Sequence, residues 1–371
     1  MPGSTQLPLE GIEVVAIEQA VAAPYAGARL ADAGAHVTKI ERPEGDFARG
    51  YDAAAAGQSS YFVWLNRGKD SVTLDLRSPE GKAELERLLQ GADVLLQNLK
   101  PGALAKLGFG FDRLARDFPR LIPCSISGYG ETGAMADRKA YDLLIQAESG
   151  LCSLTGGPSE PARVGISVVD IATGAMAYTA ILEALIRRGR DGRGARISVS
   201  MFDVIAEWLA VPLLNHEAGV GPKRIGLAHP SIAPYGAFRC RDGREVLIAV
   251  QSDREWRDLC DAFVGDPALG TDPRFATNVA RVQNRAETDA AVAAAFARHD
   301  AADAIEILLR ARIALASVND MQGLSDHPHL RRITVDTPNG PVSLPAPAAV
   351  FEGEPRSYGP VPALRPVGEA R

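Results

Sequence analysis

Asp170 ends the run Val164-Gly-Ile-Ser-Val-Val-Asp170, where an apolar stretch gives way to the helical pattern DIATGAMAYTAILEALIRR. Ile171, Met176, Ile181, Leu182, Leu185 and Ile186 supply a broad apolar face, and Arg187 and Arg188 fall in the last turn. An acid at the start and bases at the end suit the helix macrodipole. A carboxylate in that place has two readings. It caps the helix by accepting a backbone N–H, or it is held ionised in a pocket and attacks an electrophile. The helix alone does not separate them.

Other chemistry-bearing patterns carry less. Gly128-Tyr-Gly130-Glu-Thr-Gly133 has the G-x-G-x-x-G spacing of a dinucleotide site. Behind it, AMADRKAYD is polar and broken where such a site needs an apolar helix, so no nicotinamide or flavin is expected and the segment reads as a flexible loop beside a ligand. Asp326-His327-Pro-His329 lacks further ligands at metal-site spacing and reads as a surface loop; no metal is expected. G-x-S-x-G is absent, which argues against a serine hydrolase. Cys124, Cys152, Cys240 and Cys260 are far apart and read as four buried thiols.

The elements that must position Asp170 are βα units. Strand patterns at 13–17, 36–41, 71–76, 93–98, 120–127 and 195–200 alternate with helical patterns at 24–33, 79–89, 143–149, from 170, and at 201–215. Such repetition predicts an α/β fold with a Rossmann-like doubly wound sheet. After Gly219 the texture changes. GPKRIGLAHPSIAPYG (221–236) is rich in Gly and Pro, as a linker is. Asp242-Gly243 between two β-prone runs signals a hairpin, helical patterns follow at 253–263, 285–298 and 301–312, and Asn339-Gly340 turns a last β-rich stretch at 333–351. The expected division is a large domain over 1–220, a smaller α+β domain with its linker over 221–315, and a return segment over 316–371 whose Pro-rich tail from Glu352 lies over a surface.

Composition bounds the class. The 371 residues admit one or two domains. With 40 basic and 46 acidic residues the net charge is −6, which offers no basic surplus for nucleic acid, and 46% hydrophobic residues support a sizeable core. No run reaches about 18 consecutive apolar residues, and Met1-Pro-Gly-Ser-Thr-Gln6 has no basic stretch before an apolar one. A cytoplasmic protein without a membrane partner is expected.

Several ordered blocks resemble one family. PLEGIEVVAIEQAVAAPYAGARLADAGAHVTKIERPEGDFARG (8–50), YFVWLNRGKDSVTLDLRSPEGK (61–82), ADVLLQNLKPGALAKLGFGFDRL (92–114), LIPCSISGYGETG (121–133), AYDLLIQAESG (140–150), VVDIATG (168–174) and GRGARISVSMFD (192–203) look like the class III CoA-transferases, the group of formyl-CoA transferase, carnitine CoA-transferase and α-methylacyl-CoA racemase. The likeness covers most of 8–240 and weakens beyond. It implies a CoA ester held in the large domain, with CoA as substrate and no other cofactor. Val21 and Ala22 would lie beside the thioester, and Arg42 would face the nucleotide end. Leu74, Asp75, Leu76 and Arg77 would flank the nucleotide, with Asn98, Leu99, Lys100 and Lys106 nearby. Lys139, Ala140, Tyr141 and Asp142 would line the pantetheine and thioester region. Independently of the family, CoA phosphates need cations, and these blocks supply Arg42, Arg77, Lys100, Lys106 and Lys139.

The resemblance makes Asp170 the nucleophile, working through an aspartyl acyl anhydride and an aspartyl-CoA thioester. Formyl-CoA transferase has a glutamine at the place of Val21 and a run of glycines where this chain reads Gly226-Leu-Ala-His229-Pro, so the likeness is nearer to the branch acting on C4 and C5 dicarboxylates such as mesaconate, itaconate, citramalate and succinate. Arg163, Arg224 and His229 are the candidates for an acceptor's second carboxylate, which wants a cation. The alternative is racemisation α to the thioester. That branch has a histidine where this chain has Tyr141, and a tyrosine is a poor base near neutral pH. The family's homodimers are threaded like linked rings, and the 221–236 stretch and the return from about 315 fit such crossings.

Overall fold

The computed structural model of the chain describes residues 6–354 and 356–365. The reading of a missing leader rests partly on residues 1–5, and part of the tail on 355 and 366–371; these lie outside the described residues. The chain divides into two compact units. One takes the chain up to Leu151, Arg163–Leu214 and the chain from Arg331; the other takes Cys152–Ala162 and Asn215–Leu330.

In chain order the elements are β1 (Glu13–Ile17), α1 (Ala22–Asp32), β2 (His36–Glu41), α2 (Ser60–Asn66), β3 (Lys69–Thr73), α3 (Pro79–Gln90), β4 (Val94–Gln97), α4 (Ala103–Lys106), α5 (Phe111–Asp117), β5 (Ile122–Ser127), α6 (Asp142–Glu148), α7 (Leu151–Leu154), α8 (Val168–Asp191), β6 (Ile197–Ser200), α9 (Met201–Trp208) and α10 (Ala210–Glu217). Among the described residues the strands form one parallel sheet in the order β3-β2-β1-β4-β5-β6. This is the doubly wound order. The winding reverses between β1 and β4, and a crevice opens there beyond the strands' carboxyl ends. Ile17 pairs with Gln97 at that edge, so the residues after each of them face the crevice.

Val14, Ala16, Leu96 and Ile126 of the strands pack with Ala26 and Leu30 of α1 and Ala177, Ile181 and Ala184 of α8. Val15, Ile17 and Leu95 pack on the opposite face with Leu85 and Leu89 of α3 and Leu114 of α5. By length and composition α8 is apolar enough to cross a membrane, yet its Ala172, Ala177, Ile181 and Ala184 are buried in this core. Gly174 lets α8 and α1 approach: a Cβ there would stand 2.4 Å from the Ala22 carbonyl oxygen.

The second unit has an antiparallel sheet of β7 (Tyr235–Arg239), β8 (Glu245–Ala249) and β9 (Ala314–Ser317). Its helices are α11 (Asp253–Leu259), α12 (Asn278–Gln283), α13 (Arg285–Phe296), α14 (Ala301–Arg310) and α15 (Met321–Ser325). Ile248, Trp256, Phe263, Val292 and Phe296 form its core. The hairpin of β10 (Arg332–Val335) and β11 (Val342–Pro345) belongs to the first unit, where Val335 packs with Phe62, Val63 and Val361 of the tail.

Several boundaries differ from expectation for physical reasons. β3 begins at Lys69, because Lys69 and Ser71 point inward to Glu18 and Glu41 and so hid a strand behind polar residues. The helix expected over 201–215 breaks at Leu209: Pro212 has no N–H to give the Trp208 carbonyl. The return to the first unit falls at Arg331 rather than near 316, since β9 pairs with β8. Of the four cysteines, Cys152 is half-buried and the other three are buried.

Candidate active site

At the carboxyl end of β1 the chain turns through Glu18, Gln19, Ala20 and Val21 into α1. Asn98, just after β4, grips this turn from both sides. Its Oδ1 accepts from the Gln19 N–H at 3.0 Å and its Nδ2 donates to the Gln19 carbonyl at 2.8 Å. Ala20 has φ +62°, the left-handed region that non-glycine residues avoid. The N-terminus of α1 has Val21 at its cap position and no side-chain cap.

A cleft of about 810 Å³ opens over this turn. It is lined by Val21, Ala22, Asn98, Leu99, Lys100, Lys139, Ala140, Tyr141, Asp142, Arg163 and Asp170, which were separated by up to 149 residues in sequence. A neighbouring groove of about 490 Å³ takes Arg42, Leu74, Asp75, Leu76 and Arg77. Gln19 and Leu99 line both, so the groove and the cleft meet along them. Lys106, exposed at the end of α4, lines neither. Arg224 and His229 lie in the second unit. Arg224 donates to the Ser153 and Gly157 carbonyls, both at 3.1 Å, and His229 stacks on Tyr235 with ring centres 5.3 Å apart.

Asp170 is the third residue of α8, so it is not the cap. The cap position is Ser167, whose side chain makes no capping bond. Asp142 does the capping from another helix: its Oδ1 accepts from the Val169 N–H at 2.8 Å and the Asp170 N–H at 3.2 Å. Gln146, fully buried one turn along α6, donates to Asp142 Oδ2 at 2.6 Å and accepts from the Val164 N–H at 2.9 Å. Two side chains of one helix thus fix the segment that presents Asp170. The helix N-terminus was expected to favour an ionised Asp170. Its amides serve Asp142 instead, and burial together with the negative charge of Asp142 raises Asp170 to about 7.

Sequence reasoning passed over an aromatic cluster in the same cleft. Phe47, Tyr51 and Tyr61 line the cleft, with centroids 5.8 Å apart for Phe47 and Tyr51 and 5.6 Å for Tyr51 and Tyr61. Partial burial, then the charges of Asp46 and Asp170, push the Tyr51 hydroxyl up to about 12, so it stays a donor. The signal was there: aromatic residues flank the otherwise small and polar run DAAAAGQSS. Also passed over was a buried charge cluster beneath the turn. Lys39 meets Asp46 at 2.9 Å and Glu18 at 3.5 Å, and Lys69 bonds Glu18 and the Pro24 carbonyl. Burial lowers Lys69 to about 8 despite Glu18. Burial also acts to raise Glu41, but hydrogen bonds from Arg49 and Ser71 and the charge of Lys39 hold it at about 2.

The Gly128 to Gly133 segment is a loop after β5, and Gly128 lines the cleft. Among the described residues no group of three or more His, Cys, Asp or Glu side chains is placed to hold a metal.

The model of CoA-transferase family III matches residues 9–365. The chain is 41% identical over 290 residues to a succinate–glutarate CoA-transferase of Agrobacterium fabrum, covering 76% of this chain and 72% of that protein. It is 36% identical over 348 residues to an acetyl-CoA:oxalate CoA-transferase of Acetobacter aceti, covering 93% and 89%. A crystal structure of a CAIB/BAIF family protein from Brucella suis superposes with a TM-score of 0.81 at 36% identity, covering 95% of each chain.

Proposed function

The chain belongs to CoA-transferase family III and is a CoA-transferase, and from that premise we propose that its cleft moves CoA from succinyl-CoA or a related dicarboxylyl-CoA to a C4 or C5 dicarboxylic acid. The nucleotide end of CoA lies in the groove near Arg42 and Arg77, and the pantetheine arm passes Leu99 into the cleft. Val21 and Ala22 then stand beside the thioester. The observation that carries this reading is Asp170, a half-buried carboxylate on the wall of the cleft that collects the other matched residues.

Asp170 attacks the thioester carbonyl and expels CoA thiolate, leaving an aspartyl acyl anhydride. The thiolate attacks the anhydride at the aspartyl carbonyl, releasing the donor acid and forming an aspartyl-CoA thioester. The acceptor carboxylate attacks that thioester and expels the thiolate, which then attacks the new anhydride at the acceptor's acyl carbon. This yields the product thioester and a free Asp170. The uncapped N-terminus of α1 offers the Ala22 and Ala23 N–H groups to each tetrahedral oxyanion. Tyr51, neutral throughout, donates from the aromatic cluster that lines the same cleft, and these residues exclude water that would hydrolyse an anhydride. Arg163, which lines the same cleft, pairs with an acceptor's second carboxylate.

The acids named for the Agrobacterium relative support a dicarboxylate acceptor. The enzyme works as a homodimer, its two chains linked as the family resemblance implies. The test is succinyl-CoA with C4 to C6 acids, read by mass spectrometry of the CoA products. Transfer to a branched or unsaturated dicarboxylate is expected, and activity with oxalate or carnitine alone would overturn the assignment.

A further inference from the structure

Beneath the turn that carries Gln19, Ala20 and Val21 into the cleft lies one carboxylate with several duties. Asp46 Oδ1 accepts from the Ala20 N–H at 3.2 Å and from the Ala48 N–H at 2.9 Å, while Oδ2 takes the Lys39 ammonium at 2.9 Å. Its own N–H donates to Glu41 Oε2 at 2.9 Å. The side chain is buried, and its partner Lys39 is wholly buried. Through Ala48 it caps the short helical turn Phe47–Gly50, which sets Phe47 and, one residue on, Tyr51 against the cleft. Through Ala20 it also holds the turn that leads into α1. Two cleft-lining segments are therefore tied to one fixed anion.

The Ala20 contact bears on chemistry. An alanine at φ +62° is held against its own preference, which is for the right-handed or extended regions. Such a conformation persists where surrounding bonds over-determine it, and outliers of this kind gather at reacting centres. Here the bonds are identifiable: Asn98 fixes the Gln19 peptide, and Asp46 fixes the next N–H. The residue after Ala20 is the cap position of α1, so the direction of that helix's first N–H groups follows from the Ala20 torsion.

We propose that Asp46 is a positioning residue for acyl transfer: its carboxylate, itself oriented by Lys39, holds Ala20 in the left-handed conformation that aims the N-terminus of α1 at the thioester. This rests on the reading of the cleft as the site of CoA transfer. Asp46 touches no reacting atom. Asp46→Asn keeps the size but turns an amide N–H₂ toward either Lys39 or the Ala20 N–H, because one oxygen cannot serve both. Glycine at position 20 adopts a positive φ without a clamp, so Ala20→Gly should replace the clamp's effect.

The experiment compares the full-length wild type, Asp46→Asn, Ala20→Gly and the double variant for kcat and KM with succinyl-CoA, with melting curves to confirm folding. Asp46→Asn should lower kcat about 10- to 100-fold, the range lost when a reacting geometry is misplaced, with KM for the CoA ester within about threefold. With the Ala20→Gly single variant as the reference, adding Asp46→Asn should lower kcat by less than about threefold. A kcat for Asp46→Asn within threefold of wild type overturns the proposal, and so does a loss that Ala20→Gly does not relieve, since that loss would belong to the charge cluster alone. If Asp46→Asn does not fold, Ala20→Val decides the matter. It leaves Asp46 and its ion pairs in place and drives the same turn out of the left-handed region; a retained kcat would sink the clamp. An inactive wild type, or one forming no adduct on Asp170, would instead condemn the reading of the cleft.

Discussion

At Asp170, burial and the negative charge of Asp142 act in the same direction, both disfavouring the ionised form that a nucleophile needs. With the folded value near 7 and an ordinary value of 3.8, the group is uncharged in the folded state across much of the acid range. Activity in kcat/KM should therefore rise with pH through about 7, the pH at which the free enzyme ionises. The stability consequence has the opposite sense. An acid whose folded value is raised gives up stability as pH climbs from the unfolded value to the folded one, and the full cost is present above it. Asp170→Asn should abolish transfer yet raise the melting temperature at pH 8. By linkage the gain is at most about 4 kcal/mol and shrinks toward pH 4. An equal shift in melting temperature at pH 5 and pH 8 would show that Asp170 is not the strained group. Asp142→Asn removes the like charge while keeping an acceptor for the Val169 and Asp170 amides. The acid limb of kcat/KM should move to lower pH; a fixed limb would mean that burial alone sets Asp170.

At the scale of elements, α8 carries the proposed nucleophile and α1 the proposed oxyanion donors, and the two helices meet where Gly174 faces the Ala22 carbonyl. Gly174→Ala must push the helices apart at the site itself. Overpacking of this kind costs on the order of 1–3 kcal/mol, so the melting temperature should fall and kcat with it; an unchanged kcat would mean that the two helix ends are not mutually positioned. The start of α8 was legible as a helix beginning, but its cap was not. An apolar-to-amphipathic switch marks a helix from local sequence, whereas the capping carboxylate comes from Asp142, 27 residues away from the Val169 amide it accepts. β3 was misplaced for the same reason, because Lys69 and Ser71 look like surface residues until Glu18 and Glu41 are brought beneath them. Periodicity reports which face is apolar. It is silent on polar groups that find partners inside.

At the scale of the molecule, the doubly wound order follows from βα repetition, and the residues after β1 and β4 fall at the switch point, as that topology requires. The second unit's hairpin at Asp242-Gly243 was equally plain, while β9 was missed because three of its four residues, Ala314, Ala316 and Ser317, are exposed and none is a strong strand former. What neither unit accounts for is the apolar surface of α9 and α10. Trp208 is 57% exposed, Val211 68%, Leu213 50% and Leu214 63%, on consecutive turns. Soluble monomers rarely leave such contiguous faces in water, and a second copy of the chain is the occupant that the proposed homodimer supplies. Light scattering behind size-exclusion chromatography should give twice 39.3 kDa. A stable monomer would refute the dimer, and Trp208→Asp should weaken or misassemble it if this face is the contact. Linkage is a separate question with its own signature. Two closed rings cannot part without unfolding, whereas an ordinary interface lets subunits exchange by mass action. Tagged and untagged dimers mixed under native conditions should yield no mixed species over days, and should yield them after joint unfolding and refolding. Mixed dimers appearing without unfolding would leave the dimer standing and exclude the linked rings.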